Sequence, residues 1–269
     1  MTDVPQRPRA HPRLDAAARA HLGGAFRRSG ADYDAIRPSY PAGVVDFLLP
    51  AGARAAVDLG AGTGLFTALL AGRGLAVTAV DPSGAMLEVL HEALPAVRTV
   101  RAPGERTGLP EGVADLVTAA QAWHWIDPVA GTAEAARLLG GTRVAEPVLG
   151  IVSNQLDTSV PWVHRLSRIM HAGDVHPPRR PPAVGEPFAA PEGRWWHWTQ
   201  PITPEGLHGL MATRSYHLRA GEAVRERMRA NLDWYLLEHL GHAPGEVLAL
   251  PYVTSAWRCV LRAPGGGGR

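Results

Sequence analysis

The stretch Val57-Asp58-Leu59-Gly60-Ala61-Gly62-Thr63-Gly64 connects a short apolar run to a cluster of three glycines. The apolar run at 55–59 predicts a buried strand, and Leu65 to Leu70 predicts a helix directly after the glycines. Glycines at such a junction let the backbone pass close to a ligand and direct its amide groups toward that ligand. The stretch therefore predicts a ligand-binding loop between a strand and a helix.

Strands and helices alternate on both sides of this loop. Such an alternation is typical of a parallel sheet whose two faces are covered by helices. Further apolar runs predict strands at 76–80, 97–102, 113–120 and 148–153. Helical periodicity and capping residues predict helices at 43–49, at 65–70, after Ser83 and at 132–139.

The alternation ends after Asn154, where the chain becomes rich in proline. We expect a flexible extension (1–30), a single domain (31–262) and a flexible tail (263–269). The domain divides into a core at 31–155, a cap at 156–245 over the carboxyl edge of the sheet, and a final strand at 246–262. In this second part, weaker patterns predict a helix at 162–170, a strand at 194–200, helices at 204–218 and 221–240, and a strand at 253–261.

Composition excludes several other classes of protein. The formal net charge is only +2, and all 27 basic residues are arginines without a continuous stripe of interleaved aromatics, so we expect no nucleic-acid partner. Cys259 is the only cysteine, which excludes an intramolecular disulfide and a cysteine-based metal cage. The longest uncharged run, 59–72, is interrupted by glycines, and no secretory signal opens the chain. We therefore expect a cytoplasmic protein with no membrane partner, while the oligomeric state stays open.

Two carboxylates indicate which ligand the glycine loop holds. Asp81 follows the second predicted strand, where an acid can accept both hydroxyls of a ribose. Asp58 precedes the glycines, and a buried carboxylate there would repel a pyrophosphate but attract an ammonium group. S-adenosylmethionine carries such an ammonium and no phosphate. The alternatives are that Asp58 only binds the amides of the loop itself, or that the site holds a dinucleotide, although the third glycine comes one residue too early for the usual dinucleotide spacing.

The chain resembles the class I S-adenosylmethionine-dependent methyltransferases over residues 30–155. The matching stretches are Tyr33 to Pro41, Asp58 to Gly64, Val80 to Ser83 with Met86-Leu87, and Ala122 to Trp125. The first and last of these stretches are similar to small-molecule methyltransferases of the trans-aconitate methyltransferase type. The resemblance implies an α/β, Rossmann-like fold: a seven-stranded, mostly parallel sheet with its last strand antiparallel, helices on both faces, and a helical or irregular cap.

The resemblance also implies how S-adenosylmethionine is bound. The glycine loop would cradle the methionine part, Asp58 would position that loop or the ammonium, and Asp81 would hold the ribose. Arg37 would pair with the methionine carboxylate from the N-terminal segment. The implied cofactor-binding residues are Tyr33, Arg37, Asp58, Gly60, Ala61, Gly62, Gly64, Asp81, Pro82, Met86, Gly104, Glu105 and Gln121.

The remaining members of this set would surround the adenine and close the site. Pro82 and Met86 would pack on the adenine, and Glu105 matches the usual acidic position near the adenine edge. The neighbouring Ala102-Pro103-Gly104 departs from the commoner G-x-A pattern. Gln121, after the fourth strand, would face the cofactor from the other side.

Catalysis of methyl transfer needs alignment more than it needs a reactive side chain. His124 lies just after the fourth strand and is a candidate general base, needed only if the acceptor retains its proton at neutral pH. The alternative is a scaffold histidine between Trp123 and Trp125. The other histidines form no compact ligand set, so we expect no metal.

These residues together predict an enzyme that methylates a small molecule, in bacterial specialised metabolism. One alternative is an RNA or protein methyltransferase, although the Asn-Pro-Pro-Tyr-like element of exocyclic-amine chemistry is absent after the fourth strand. Another is a protein that keeps S-adenosylmethionine as a structural ligand only.

Overall fold

One seven-stranded sheet runs through the protein in the order β3-β2-β1-β4-β5-β7-β6. The computed structural model describes residues 36–171 and 179–262, so the predicted flexible extension, the predicted tail and Tyr33 lie outside the described residues. The strands are β1 (Ala55–Leu59), β2 (Ala76–Asp81), β3 (Arg98–Arg101), β4 (Leu116–Ala120), β5 (Val148–Leu156), β6 (Glu192–Ile202) and β7 (Leu248–Val260).

Helices cover the sheet and follow most of its strands. They are α1 (Gly43–Leu48), α2 (Leu65–Ala71), α3 (Gly84–Ala93), α4 (Pro128–Leu139), α5 (Pro161–Ile169), α6 (Pro204–Ala212), α7 (Ser215–Arg219) and α8 (Glu222–Asp233). A short 3₁₀ turn spans Trp123–Trp125, and α8 continues into a π-helical segment at Trp234–His239. No helix in the described ranges combines the length and the apolar character that crossing a membrane requires.

The strand directions confirm the predicted fold class. Strands β1 to β5 pair in parallel, whereas β7 is antiparallel to both of its neighbours, β5 and β6. The protein therefore has a Rossmann-like sheet in which only the last strand of the chain runs against the others.

Strand β5 is longer than the sequence predicts, because its end pairs with β7 alone. The prediction ended at Ser153, but the strand continues to Leu156. Its pairing with β4 ends at Val152, and residues 153–156 pair only with β7. Strands β5, β7 and β6 therefore project beyond the carboxyl end of β4.

Other boundaries also differ from the predictions. Helix α4 begins at Pro128 rather than at 132, because Asp127 accepts hydrogen bonds from two amides of its first turn. The single helix predicted at 204–218 is broken into α6 and α7. β4 begins at Leu116 rather than at 113, and β7 begins at Leu248 rather than at 253.

Three apolar clusters stabilise these layers. One cluster fills the space between the sheet and α4, and a second fills the space between the sheet and α1 to α3. The third joins the helices α5, α6 and α8 to the projecting ends of β5, β6 and β7, and it includes Leu156, Leu166, Leu210, Leu232 and Tyr235. We call α5 to α8 with the π-helical segment the cap helices. They pack on the part of the sheet that extends past β4.

Candidate active site

The glycine loop between β1 and α2 has a backbone that only glycine adopts comfortably. Gly60, Gly62 and Gly64 have φ values of 69°, 57° and 98°. A Cβ atom on Gly60 would lie 2.4 Å from the Cβ of Ala122, and one on Gly64 would lie 2.8 Å from the Cγ of Leu90. The loop is therefore packed between α3 and the segment that follows β4.

Asp81, at the end of β2, holds the middle of this loop. Its Oδ2 accepts a hydrogen bond from the Gly62 amide at 3.0 Å, and its Oδ1 accepts one from the Ser83 amide at 2.8 Å. Burial raises the pKa of Asp81, and the two amide bonds oppose that shift. A carboxylate oxygen can accept a second hydrogen bond, so the predicted ribose contacts remain available and stay a prediction.

Asp58, on β1, is buried and bonded to two threonines. Its Oδ2 accepts from the Thr67 hydroxyl and its Oδ1 from the Thr118 hydroxyl, both at 2.7 Å. Burial raises the pKa of Asp58 to about 6, although both threonine bonds lower it. Within the described residues neither oxygen accepts a loop amide, so Asp58 reaches the loop only through Thr67 on α2. The loop amide is bound by Asp81 instead.

The residues predicted around the adenine lie along α3 and beside the start of α4. Pro82 is exposed. Met86 packs against the glycine loop, because a Cβ atom added to Gly62 would lie 3.8 Å from the Met86 Sδ. Gly104 is buried against Ile126, which a Cβ would approach to 2.7 Å. Glu105 accepts a hydrogen bond at 3.0 Å from the Asp127 amide, before α4. Their contacts with adenine stay predictions.

Gln121 follows β4 in a strained conformation. Its φ of 55° is in the left-handed region, which a glutamine rarely adopts. Its amide donates to the Val152 carbonyl at 2.8 Å, and its side-chain Nε2 donates to the Asn154 carbonyl at 2.6 Å. Gln121 is thus bound to β5 through both its backbone and its side chain.

His124 lies on the exposed 3₁₀ turn that comes next. Its ring centre is 4.7 Å from that of Trp125. Trp123 is buried in the cluster beside α4, and its indole nitrogen donates to the Ala183 carbonyl at 3.3 Å. The tryptophan before His124 therefore has a packing role, while the ring of His124 lies at the surface of the described structure.

Residues 36–41, which we call the strap, connect the cap helices to the glycine-loop side of the sheet. Arg37 donates from Nη2 to the Thr213 carbonyl at the end of α6, at 3.0 Å. At the other end, the Tyr40 ring contacts Phe66 on α2 edge-to-face at 5.1 Å. The predicted pairing of Arg37 with the methionine carboxylate stays a prediction.

The structure also identifies site residues that the sequence reading missed. Thr67 and Thr118 bind Asp58, and Asn154 and Thr254 form a buried bonded pair on β5 and β7. No sequence signal marks Asn154, because it stands in the polar run Ser153-Asn154-Gln155 and its burial depends on the pairing of β5 with β7. No motif marks Thr118, which meets Asp58 through the pairing of β4 with β1, whereas Thr67 lies nearby in the chain on α2. No group of three or more potential metal ligands occurs in the described part of the chain.

Comparisons with known proteins agree with this arrangement. Residues 57–141 match the family described as a methyltransferase domain. An uncharacterised methyltransferase of Mycobacterium tuberculosis is 41% identical over 231 residues, covering 85% of this chain and 92% of the relative. An uncharacterised methyltransferase-like protein of Schizosaccharomyces pombe is 30% identical over 219 residues, covering 77% of this chain and 84% of that one.

A solved structure agrees with these relatives. A provisionally assigned type II methyltransferase from Anaeromyxobacter dehalogenans superposes with a TM-score of 0.62 at 26% identity, covering 84% of this chain and 97% of that one. Fold and site together define the class as that of Rossmann-like methyltransferases. The chain belongs to the class I S-adenosylmethionine-dependent methyltransferases.

Proposed function

We propose that this methyltransferase binds S-adenosylmethionine at the carboxyl ends of β1, β2 and β4 and methylates a small-molecule acceptor. The observation that carries the proposal is the bond from the Gly62 amide to Asp81, in a loop that has no room for side chains at Gly60 and Gly64. A loop fixed in this way lets a ligand approach the backbone closely, with a carboxylate beside it for two hydroxyls.

The surrounding residues fit the groups of this cofactor. Asp58, with a pKa of about 6, is mostly ionised at neutral pH, and an ammonium group nearby would favour the ionised form further. Asp81 would bind the ribose hydroxyls, and the partly buried Met86 would contact the adenine. We assign the remaining contacts to Tyr33, Arg37, Gly60, Ala61, Gly62, Gly64, Pro82, Gly104, Glu105 and Gln121.

The chemistry requires these residues to orient the reactants and exclude water. S-adenosylmethionine, when bound, supplies a methyl group attached to a sulfonium sulfur. The neutral thioether that remains after the transfer is a good leaving group. The protein then has to align the acceptor for an in-line displacement. His124 would accept a proton only from an acceptor that keeps one at neutral pH.

The strap, which crosses the carboxyl edge of the sheet, supports the proposal that the acceptor is a small molecule. The strap is bonded to the cap helices at Arg37 and to β5 at Ser39, and it contacts α2 at Tyr40. A site crossed in this manner favours a small acceptor over a folded macromolecule. A role in bacterial specialised metabolism stays a prediction of the sequence.

Calorimetric titration with S-adenosylhomocysteine tests the cofactor assignment. We expect the unmodified protein to bind S-adenosylhomocysteine with micromolar affinity. In Asp81→Ala this affinity should fall by about 30-fold or more, because charge-assisted hydrogen bonds to the ribose are removed. Asp115→Ala is the matched control, since Asp115 binds the backbone amides of Arg54 and Ala55 at the amino end of β1. Binding of NAD in place of S-adenosylhomocysteine, or equal affinities in the two variants, would contradict the assignment.

The acceptor class is tested with a methyl-labelled cofactor and a bacterial extract separated by size. Label transferred to compounds of low molecular mass, and dependent on Asp81, is the expected outcome. Label recovered only in the RNA or protein fraction would instead support the macromolecular alternative.

A further inference from the structure

Asn154 lies at the centre of a chain of hydrogen bonds where β5 projects beyond β4, and the two middle members of this chain, Asn154 and Thr254, are buried. The Trp198 indole on β6 donates to the Thr254 hydroxyl on β7 at 2.8 Å. That hydroxyl donates to the Asn154 Oδ1 at 2.5 Å, and the Asn154 Nδ2 donates to the Ser39 carbonyl of the strap at 2.8 Å. Thr254 is fully buried and Asn154 nearly so.

The chemistry of the two end groups fixes the direction of every bond in this chain. An indole N–H can only donate, and a backbone carbonyl can only accept. The Thr254 hydroxyl must therefore point at Asn154, and the amide of Asn154 must turn its nitrogen toward Ser39. Hydrogen bonds aligned in one direction strengthen one another in a buried setting, and loss of the bond between Thr254 and Asn154 leaves a buried polar group unsatisfied.

Asn154 also fixes the residue that follows β4. Its backbone carbonyl accepts the side-chain bond from Gln121, whose left-handed backbone needs external support. One residue thus connects the strap on one side of the carboxyl edge to the end of β4 on the other.

The strap is also anchored at each of its ends. On the cap side, Gln200 donates to the Ile36 carbonyl at 2.9 Å, and Arg37 donates to the Thr213 carbonyl. On the other side, Tyr40 contacts Phe66 in the first turn of α2, directly after the glycine loop. The Asn154 bond lies between these two anchors, where the strap crosses from the cap helices to the glycine-loop side.

We infer that Asn154 is a positioning residue, which holds the strap closed across the cofactor site and orients Gln121 at the same time. The inference rests on the proposed function, because it assumes that the cofactor lies under the strap. Exchange of the methylated and demethylated forms of the cofactor then requires the strap to open, and the Asn154 bond opposes that opening. Weakening the bond should accelerate the release of S-adenosylhomocysteine.

Stopped-flow measurement of S-adenosylhomocysteine dissociation tests this role. We expect Asn154→Ala to raise the dissociation rate at least tenfold, and Thr254→Val to raise it less, because Asn154 remains but loses its orienting partner. Ser153→Ala is the matched control, since Ser153 precedes Asn154 on β5 and its hydroxyl, among the residues that the structure describes, bonds to Ser255 on the opposite face of the sheet. Equal dissociation rates in all three folded variants would overturn the inference.

Asn154→Asp separates positioning from folding. Aspartate has the same shape and can still accept from Thr254, but it places an acceptor against the Ser39 carbonyl. We expect faster amide hydrogen exchange at the four strap residues that carry an amide hydrogen (Ile36, Arg37, Ser39 and Tyr40) in this variant, with or without S-adenosylhomocysteine, and unchanged exchange in β1 and β2. Unchanged exchange in the strap would overturn the inference. Failure of the unmodified protein to bind S-adenosylhomocysteine would overturn the proposed function instead, and the exchange in the cofactor-free protein would still decide whether Asn154 holds the strap.

Discussion

The two halves of the sheet stabilise their polar groups in opposite ways. In the cofactor half, β1 to β4, two buried carboxylates accept hydrogen bonds, and most of their partners are close in the chain, such as Thr67 for Asp58 and Ser83 for Asp81. In the cap half, β5 to β7 with the cap helices, neutral groups form bonds between distant parts of the chain, such as Thr254 to Asn154. The first arrangement can be encoded in a short motif, whereas the second exists only after the chain has folded.

The largest expected effect is a loss of stability on substitution of a glycine in the cofactor half, where close packing and backbone conformation both contribute. Gly60→Ala should lower the free energy of unfolding by about 3 kcal/mol or more, because it adds an overpacking cost to that of a left-handed backbone. The added Cβ would lie 2.4 Å from Ala122. Chemical denaturation measures the loss.

Gly74→Ala is the control for this variant. Gly74 has a similar φ of 79°, but nothing lies within 4 Å of an added Cβ. We expect a loss of about 1–2 kcal/mol there, from the backbone conformation alone. Equal losses in the two variants would mean that the loop adjusts to the added methyl group and is not tightly packed.

A second effect follows from the buried carboxylate of Asp58. Its pKa is about 6 in the folded protein, raised by burial, and near 4 in the unfolded chain. Between these values the folded state binds more protons, so the free energy of unfolding falls as the pH rises from about 4 to 6. The decrease amounts to about 3 kcal/mol at most.

Asp58→Asn should remove this dependence while keeping the shape of the side chain. Denaturation at pH 4.5 and pH 7.5 should therefore show a smaller loss of stability with rising pH in the variant than in the unmodified protein. Affinity for S-adenosylhomocysteine should fall in the variant, since the charge that attracts the ammonium is gone. An identical pH dependence in the two proteins would mean that Asp58 is ionised throughout this range.

The contrast between the halves also explains how far the sequence predicted the structure. The succession of β1 to β5 along the chain, the position of the glycine loop and that of Asp81 follow from local periodicity and spacing, and the structure confirms the predicted fold class. The end of β5 was predicted too early, because Asn154 is polar and its burial depends on Thr254, 100 residues later. The break between α6 and α7 was missed as well. No local pattern could have predicted a bond from Arg37 to a carbonyl 176 residues away.

A smaller loss of stability tests whether the cap half opens independently of the cofactor half. The Tyr235 hydroxyl, in the π-helical segment, donates to the Trp162 carbonyl on α5 at 2.9 Å. Tyr235→Phe should lower the free energy of unfolding by about 1 kcal/mol, because one partly buried hydrogen bond between the π-helical segment and α5 is lost. Amide hydrogen exchange should accelerate in the cap helices and stay unchanged in β1 to β4.

The exposed Tyr216 on α7 provides the control for that variant. Tyr216→Phe removes the same hydroxyl from a solvated position, so stability should change by less than about 0.5 kcal/mol. Exchange that accelerates equally in both halves of the Tyr235→Phe protein would show that the two halves open as one cooperative unit and not separately.

The smallest expected effect concerns His124, at the boundary between the halves. Its exposed position predicts that His124→Ala changes the free energy of unfolding by less than about 0.5 kcal/mol. Trp123→Ala, one residue earlier, should cost about 3 kcal/mol because that side chain is buried. Affinity for S-adenosylhomocysteine should be unchanged in His124→Ala, since the proposed role of this ring is toward the acceptor. A tenfold loss of affinity would instead make His124 part of the cofactor site, whereas a slower turnover at unchanged affinity is what a general base predicts.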